Sequence, residues 1–117
     1  MKLTWLAAIL GVLTLSGGLL AQKSDEVGII YNESFQGSEE VAQAYAKARK
    51  IPSENILGIK TSVSEEVERW NYNDEIKAPV EAFLKKHEKI WALVTCYGVP
   101  LKVKETDRSD DKGPFDG

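Results

Sequence analysis

Three short apolar runs, each closed by turn-forming residues, set the pattern of this chain. The first is Val27-Gly28-Ile29-Ile30-Tyr31, the second Ile56-Leu57-Gly58-Ile59, and the third runs from Ile90 to Thr95, with Trp91 at its start. Each is short and almost wholly apolar, as strands buried on both faces of a parallel sheet are. Between the first two runs, Val41, Ala42, Tyr45 and Ala46 recur at helical spacing. Ser38 is the expected cap of that helix, and Glu39 and Glu40 occupy its first turn, where the helix dipole favours acids. Lys47, Arg49 and Lys50 crowd its last turn, and Pro52 is expected to stop it.

The stretch between the second and third runs is less regular. Ser62 with Glu65 three residues on forms a capping box, which predicts a helix from Ser64 through Trp70. Asn71-Tyr72-Asn73-Asp74 is expected to interrupt it. A second helical stretch, residues 74–86, then places Ile76, Val80, Phe83 and Leu84 on one face. Pro79 lies inside that stretch without a backbone donor, so a kink there or a start nearer Lys77 is expected. After the third run, Leu101-Lys102-Val103 alternates like a short edge strand.

The order strand, helix, strand, helix, strand predicts an α/β fold. Right-handed crossovers put the first run in the middle, giving the strand order 2-1-3. The expected architecture is a three-layer open parallel sheet, an incomplete doubly wound fold spanning residues 22–103. Ligands of such sheets bind beyond the carboxyl ends of the strands. Those ends carry Asn32, Glu33 and Ser34 after the first run and Cys96, Tyr97 and Gly98 after the third. Asn32, Glu33, Ser34, Tyr97 and Gly98 are therefore candidate binding residues, and Cys96 is the candidate nucleophile. Turn chemistry is the competing reading of Asn32 to Ser34.

The amino terminus differs in kind from the rest. Met1-Lys2 is followed by an uncharged run from Leu3 to Leu20, then by small Ala21. This predicts a signal peptide over residues 1–21 and an exported protein, periplasmic or extracellular. Left uncleaved, the same run is near the lower length of a membrane anchor, and the expected membrane contact is confined to it. Formal net charge is −3 for the whole chain. With no basic patch, nucleic acid is excluded as an expected partner. From Lys104 to Gly117 only Pro114 and Phe115 are apolar, so a flexible acidic tail is expected.

Candidate chemistry is sparse. Cys96 is the single cysteine, so no disulfide forms within the chain. His87, the single histidine, precedes the strand that Cys96 ends. A strand of that length spans about 17–20 Å, which excludes a Cys–His dyad and favours Cys96 as a small packed hydrophobe. The loop after the first run holds one glycine, Gly37, too few for a phosphate cradle, so no cofactor is expected. Asp107, Ser109 and Asp111 follow the opening spacing of a calcium loop, but Lys112 stands where glycine is needed, so no metal is expected. Trp70, Tyr72 and Trp91 admit an aromatic sugar platform, with packing the favoured reading.

The text YNESFQGSEEVAQAYAKARKIPSENI, followed by IKAPVEAFL and LVTCYGVPLKV, resembles a family of uncharacterised exported bacterial proteins. The marks are Tyr31-Asn32, Ser38, Val41-Ala42, Tyr45-Ala46, Arg49, Ile51-Pro52, Asn55-Ile56 and Gly98-Val99-Pro100, across residues 27–103. Members of that family are several hundred residues long, so the resemblance implies an amino-terminal fragment; it implies no activity. The strand ending at Gly98-Val99-Pro100 is also distantly similar to the sheet of caspase- and gingipain-like peptidases. Those peptidases place a His-Gly after one strand and the cysteine after the next, and here no histidine follows the third run. Three functional expectations result. The first is an exported α/β domain of a longer protein. The second is part of a caspase-like hydrolase or peptidase. The third is a ligand- or partner-binding module, in which an uncovered strand edge binds the missing carboxyl-terminal part or another copy of the chain.

Overall fold

A computed structural model of the chain describes residues 23–105. Its centre is β1 (Val27–Asn32), which is buried along most of its length. On one side β1 pairs with β2 (Ile56–Ile59), Ile29 opposite Ile56 and Asn32 opposite Ile59. On the other it pairs with β4 (Ala92–Thr95), Val27 opposite Ala92 and Ile30 opposite Thr95. Both pairings are parallel, and the order β2-β1-β4 is the 2-1-3 order expected for the three apolar runs. The α/β character is borne out.

Alternation along β1 decides what each face meets. Ile29 packs with Ala42 and Ala46 of α1 (Ser38–Arg49), and with Ile51 and Cys96. Ile30 points the other way, to Ile59 and Val99, with Ile76 and Val80 against them. Burying each of these isoleucines is worth about 1.5–3 kcal/mol, so a polar residue at either position would undo one core. Gly28 leaves room for a close approach: a Cβ there would lie 2.9 Å from Leu93 Cδ2 and 3.2 Å from Phe83 Cε1.

The ends of α1 correct the expected caps. Gly37, at φ 93°, holds the position before the helix, and Ser38 is already helical and fully buried. The Ser38 hydroxyl does not cap; it accepts the backbone N–H of Asn32 at 2.9 Å and so ties the helix start to the end of β1. At the other end Lys50 adopts φ 56°, and Ile51 donates its N–H to the Ala46 carbonyl at 2.9 Å. This left-handed closure satisfies the last carbonyls, so the helix ends before Pro52 acts.

Of the expected helix from Ser64 to Trp70 only Arg69 and Trp70 are helical. Glu66–Val67 is instead a short strand, β3, paired in parallel with β5 (Lys102–Val103) in a second, two-stranded sheet. Two competing bonds explain the difference. The Ser62 hydroxyl accepts the Ser64 N–H at 3.1 Å, which makes a local turn. The Glu65 carbonyl accepts the N–H groups of Leu101 and Lys102 at 2.8 and 3.0 Å, so its backbone bonds across the fold. The expected edge strand at Leu101–Val103 therefore exists in part, but it belongs to this second sheet.

Helix begins at α2 (Arg69–Asn71), widens into a π-helical segment (Tyr72–Lys77), and continues as α3 (Ala78–Lys86). The expected break at Asn71 to Asp74 is absent; Asn71 Nδ2 donates to Glu75 Oε1 one turn on. Ala78 donates its N–H to Asn73, five residues back. Pro79 follows directly after the π-helical segment, inside this continuous helix, and has no N–H to bond back into it. The helix therefore does not start near Lys77, which is already within it; the α-helical geometry only resumes at Ala78.

Trp91 was expected inside the core and is 71% exposed, its indole N–H donating to Glu26 Oε2 at 2.9 Å. The reason is position. Among the described residues β4 ends the sheet, and along it half-buried Ala92 and Val94 alternate with exposed Leu93 and Thr95. The expected signal peptide, residues 1–21, and the calcium-like spacing at Asp107, Ser109 and Asp111 lie outside the described residues. No helix among the described residues is long and apolar enough to cross a membrane.

Candidate functional site at the carboxyl edge of the sheet

Asn32, the last residue of β1, is fully buried. Its Nδ2 donates to the carbonyls of Ser62 at 3.0 Å and Gly98 at 2.9 Å. Its Oδ1 accepts the N–H groups of Ser34 at 3.1 Å and Thr61 at 3.3 Å. A primary amide has two donors and two lone pairs, and all four are used. Asn32 therefore fastens the loops that follow β1, β2 and β4 to one point. Of the binding candidates it is the one whose polar atoms have no capacity left for a ligand.

Glu33 and Ser34 sit on the loop beside that point. The Glu33 N–H extends the ladder to the Ile59 carbonyl at 2.8 Å, and its carboxylate lies 3.8 Å from Lys60 Nζ in a solvent-exposed pair worth little. Burial, then the charges of Glu39 and Glu33, raise the pKa of the nearby Tyr31 phenol. Neither Glu33 nor Ser34 reaches the concave surface described next.

That surface is a cleft of about 310 Å³, lined by Phe35, Val63, Glu65, Cys96, Tyr97 and Leu101 among others. Its volume is at the small end of ligand sites. Phe35 and Tyr97 meet edge to face, with centroids 5.0 Å apart. Gly98 makes that contact feasible. It adopts φ 102°, and a Cβ on it would lie 2.5 Å from Phe35 Cγ. The Cys96 carbonyl accepts the Val99 N–H at 3.1 Å, closing a tight turn that seats Val99 between Ile30 and Ile59. Val63, Tyr97 and Leu101 remain largely exposed around the opening.

Cys96 is buried among Ile29, Ala42, Ala46 and Ile51, and it also forms part of the cleft wall. Burial raises its thiol pKa, so the thiol stays protonated at neutral pH. His87 lies beyond the opposite end of β4, where its Nδ1 is 2.9 Å from the Phe83 carbonyl. The two residues are not brought together. Among the described residues, no three His, Cys, Asp or Glu side chains gather as a metal site. Trp70 and Trp91 are exposed, against the expectation that they pack. Tyr72 lies under the Arg69 guanidinium, and no ring contact joins these three aromatics among the described residues.

Sequence reasoning placed Tyr97, Gly98 and Cys96 at this edge and missed Phe35, Val63, Glu65 and Leu101. Phe35 carried a readable signal as a lone aromatic inside a polar turn. Val63 and Leu101 carried none, because the β3–β5 pairing brings them to the cleft. Glu65 reads in the sequence as the end of a capping box, which hides its place at the cleft.

The amino edge of the sheet carries a second hollow, of about 320 Å³, bounded by Asp25, Asn55, His87, Glu88, Lys89 and Ile90 among others. Here Asn55 is the buried amide, donating to the carbonyls of Asp25 at 3.0 Å and Val27 at 3.1 Å. Comparison with protein-family models, with curated proteins and with solved structures finds no match to this chain.

Proposed function

We propose that this chain is a binding domain of an exported protein, and that its carboxyl-edge cleft receives an apolar or aromatic group of the ligand. The observation that carries the reading is the cleft itself. Val63, Tyr97 and Leu101 stay exposed around a concave floor that Asn32 holds rigid. Exposed apolar side chains grouped about a preformed hollow favour binding over mere solvation. The three-layer, incomplete doubly wound architecture belongs to the same proposal. Its support is that α1 packs against Ile29 while Ile76 and Val80 pack against Ile30, on the other side of β1. In that architecture ligands sit at this edge.

Export rests on the apolar run ahead of Ala21, and membership of the exported bacterial family, with its longer members, on the Tyr31-Asn32 to Gly98-Val99-Pro100 marks. The caspase-like hydrolase stands second. A cysteine nucleophile needs a base in reach, and the chain's one histidine lies beyond the far end of β4.

The test is a titration of the full chain with N-acetylphenylalanine amide, followed by NMR. Shift changes are expected at Phe35, Val63, Tyr97 and Leu101, with weakening of at least tenfold in Tyr97→Ala, about 1.4 kcal/mol. Trp70→Ala, at an exposed side chain outside the cleft, is expected to bind as the wild type does. Shift changes confined to other surfaces, or none, would sink the proposal.

A further inference from the structure

We infer that the carboxyl-edge cleft takes a small organic cation, an apolar or aromatic body carrying an ammonium group, and that Glu65 is the residue that meets the charge. This rests on the cleft reading above and adds a charge to it. The starting observation is an acid without a counterion. Glu65 is the one charged residue lining the cleft. It takes part in none of the ion pairs found among the described residues.

The β3–β5 ladder explains why. Glu66 stands opposite Lys102, and Val67 opposite Val103. Successive residues of a strand alternate between faces. Glu66 and Lys102 therefore share the outer face with Glu68 and Lys104, whose side chains bond each other. On that face two acids meet two lysines. Glu65 falls on the other face, with buried Val67. The Leu101 N–H donates to the Glu65 carbonyl at 2.8 Å, so the residue across the ladder from Glu65 is an apolar one. The outer face balances its charges within the chain; the cleft face leaves one negative charge for something else to balance.

The rest of the cleft favours the same sign. Phe35 and Tyr97 stand 82° apart, an aromatic corner, and Tyr97 is largely exposed. Ring faces are the negative part of an aromatic side chain and attract an ammonium within about 6 Å. Val63 and Leu101 are exposed apolar surface for the ligand's body. The Glu65 backbone is already fixed, because its carbonyl also accepts the Lys102 N–H at 3.0 Å. A carboxylate beside ring faces repels an anion, and the cleft volume of about 310 Å³ suits a small amine.

The test is a pair of titrations of the full chain at neutral pH and low salt, followed by NMR. One ligand is phenethylammonium chloride; the other is N-phenethylacetamide, the same body without the charge. Both are expected to shift Phe35 and Tyr97, with the cation bound about fivefold tighter, as an exposed ion pair with a ring contact allows. Glu65→Gln is expected to abolish that preference, and Glu66→Gln, on the outer face, to keep it. Equal binding of the two ligands by the wild type, with shifts at the cleft, would overturn the inference and leave the cleft reading standing. No shift at the cleft from either ligand would overturn both. A preference that survives Glu65→Gln, or that Glu66→Gln removes equally, would place the charge recognition elsewhere and overturn the inference too. Should Glu65→Gln fail to fold, salt decides: the wild-type preference is expected to vanish in about 1 M salt, where charges are screened within about 3 Å, and its persistence there would overturn the inference.

Discussion

The two ends of the central sheet use the same device for different purposes. At each, a buried asparagine donates both amide hydrogens to backbone carbonyls. Asn55 binds Asp25 and Val27, and so anchors the start of β2 to the start of β1. Asn32 binds Ser62 and Gly98 and accepts from Ser34 and Thr61, and so fastens three loops together. One amide joins neighbouring strands. The other builds the floor of a cleft from segments that no ladder connects. The difference teaches that a polar residue at a strand end can be a fastener whether or not a ligand site lies above it.

The contrast can be broken most sharply at Asn32. Asn32→Ala strands two carbonyls and two N–H groups in a buried place, at about 1–3 kcal/mol for each group left unpaired. A net loss of about 3–5 kcal/mol in urea denaturation is expected, a large share of a small domain's stability. Gly98→Ala comes next. It puts a side chain at φ 102° and against Phe35, so a loss of about 2–4 kcal/mol and a disordered Phe35–Tyr97 contact are expected, the latter read by ring NMR shifts. Asn55→Ala is expected to cost about 2 kcal/mol in the same denaturation assay, and to leave shifts at Phe35 and Tyr97 unchanged. Equal losses from Asn32→Ala and Asn55→Ala would erase the distinction between the two ends.

The smallest expected effect is one of pH. Burial raises the Cys96 thiol above its ordinary value in the folded chain, so the unfolded chain releases that proton first. The associated stability is complete below the unfolded value, about 8.5, and is lost as the pH rises through the folded one. Tyr31, also raised, adds a similar decline at higher pH. Urea midpoints measured across the alkaline range are expected to fall, and Cys96→Ala is expected to remove only the earlier part of the fall.

Much of this fold is legible in the residues. β1 is apolar on both faces, α1 has helical spacing, and the order of the strands follows from crossover rules, because those signals are local or topological. The separation of His87 from Cys96 was legible for the same reason. The Ser64–Trp70 helix failed because a capping box is a local preference, and the partner that overrode it, Leu101–Val103, lies some 35 residues on. Trp91 failed because apolar composition identifies a strand without saying whether another strand covers it. Asn32 was found as a position and missed as a role. Knowing that its amide is fully spent requires knowing which carbonyls arrive beside it.

Order of assembly follows from the reach of that amide. Asn55 closes its bonds across separations of 30 and 28 residues, while Asn32 must wait for a carbonyl 66 residues away. Longer closures come later, because their entropy is lost before any contact rewards it. The amino end of the sheet is thus expected to form early in folding, and the cleft only once residue 98 has been drawn back onto β1. In the native state the same order runs backwards. Amide exchange is expected to open the loop at Thr95 to Val99 before the β1–β2 ladder, which makes the cleft the part of the molecule a ligand would slow the most.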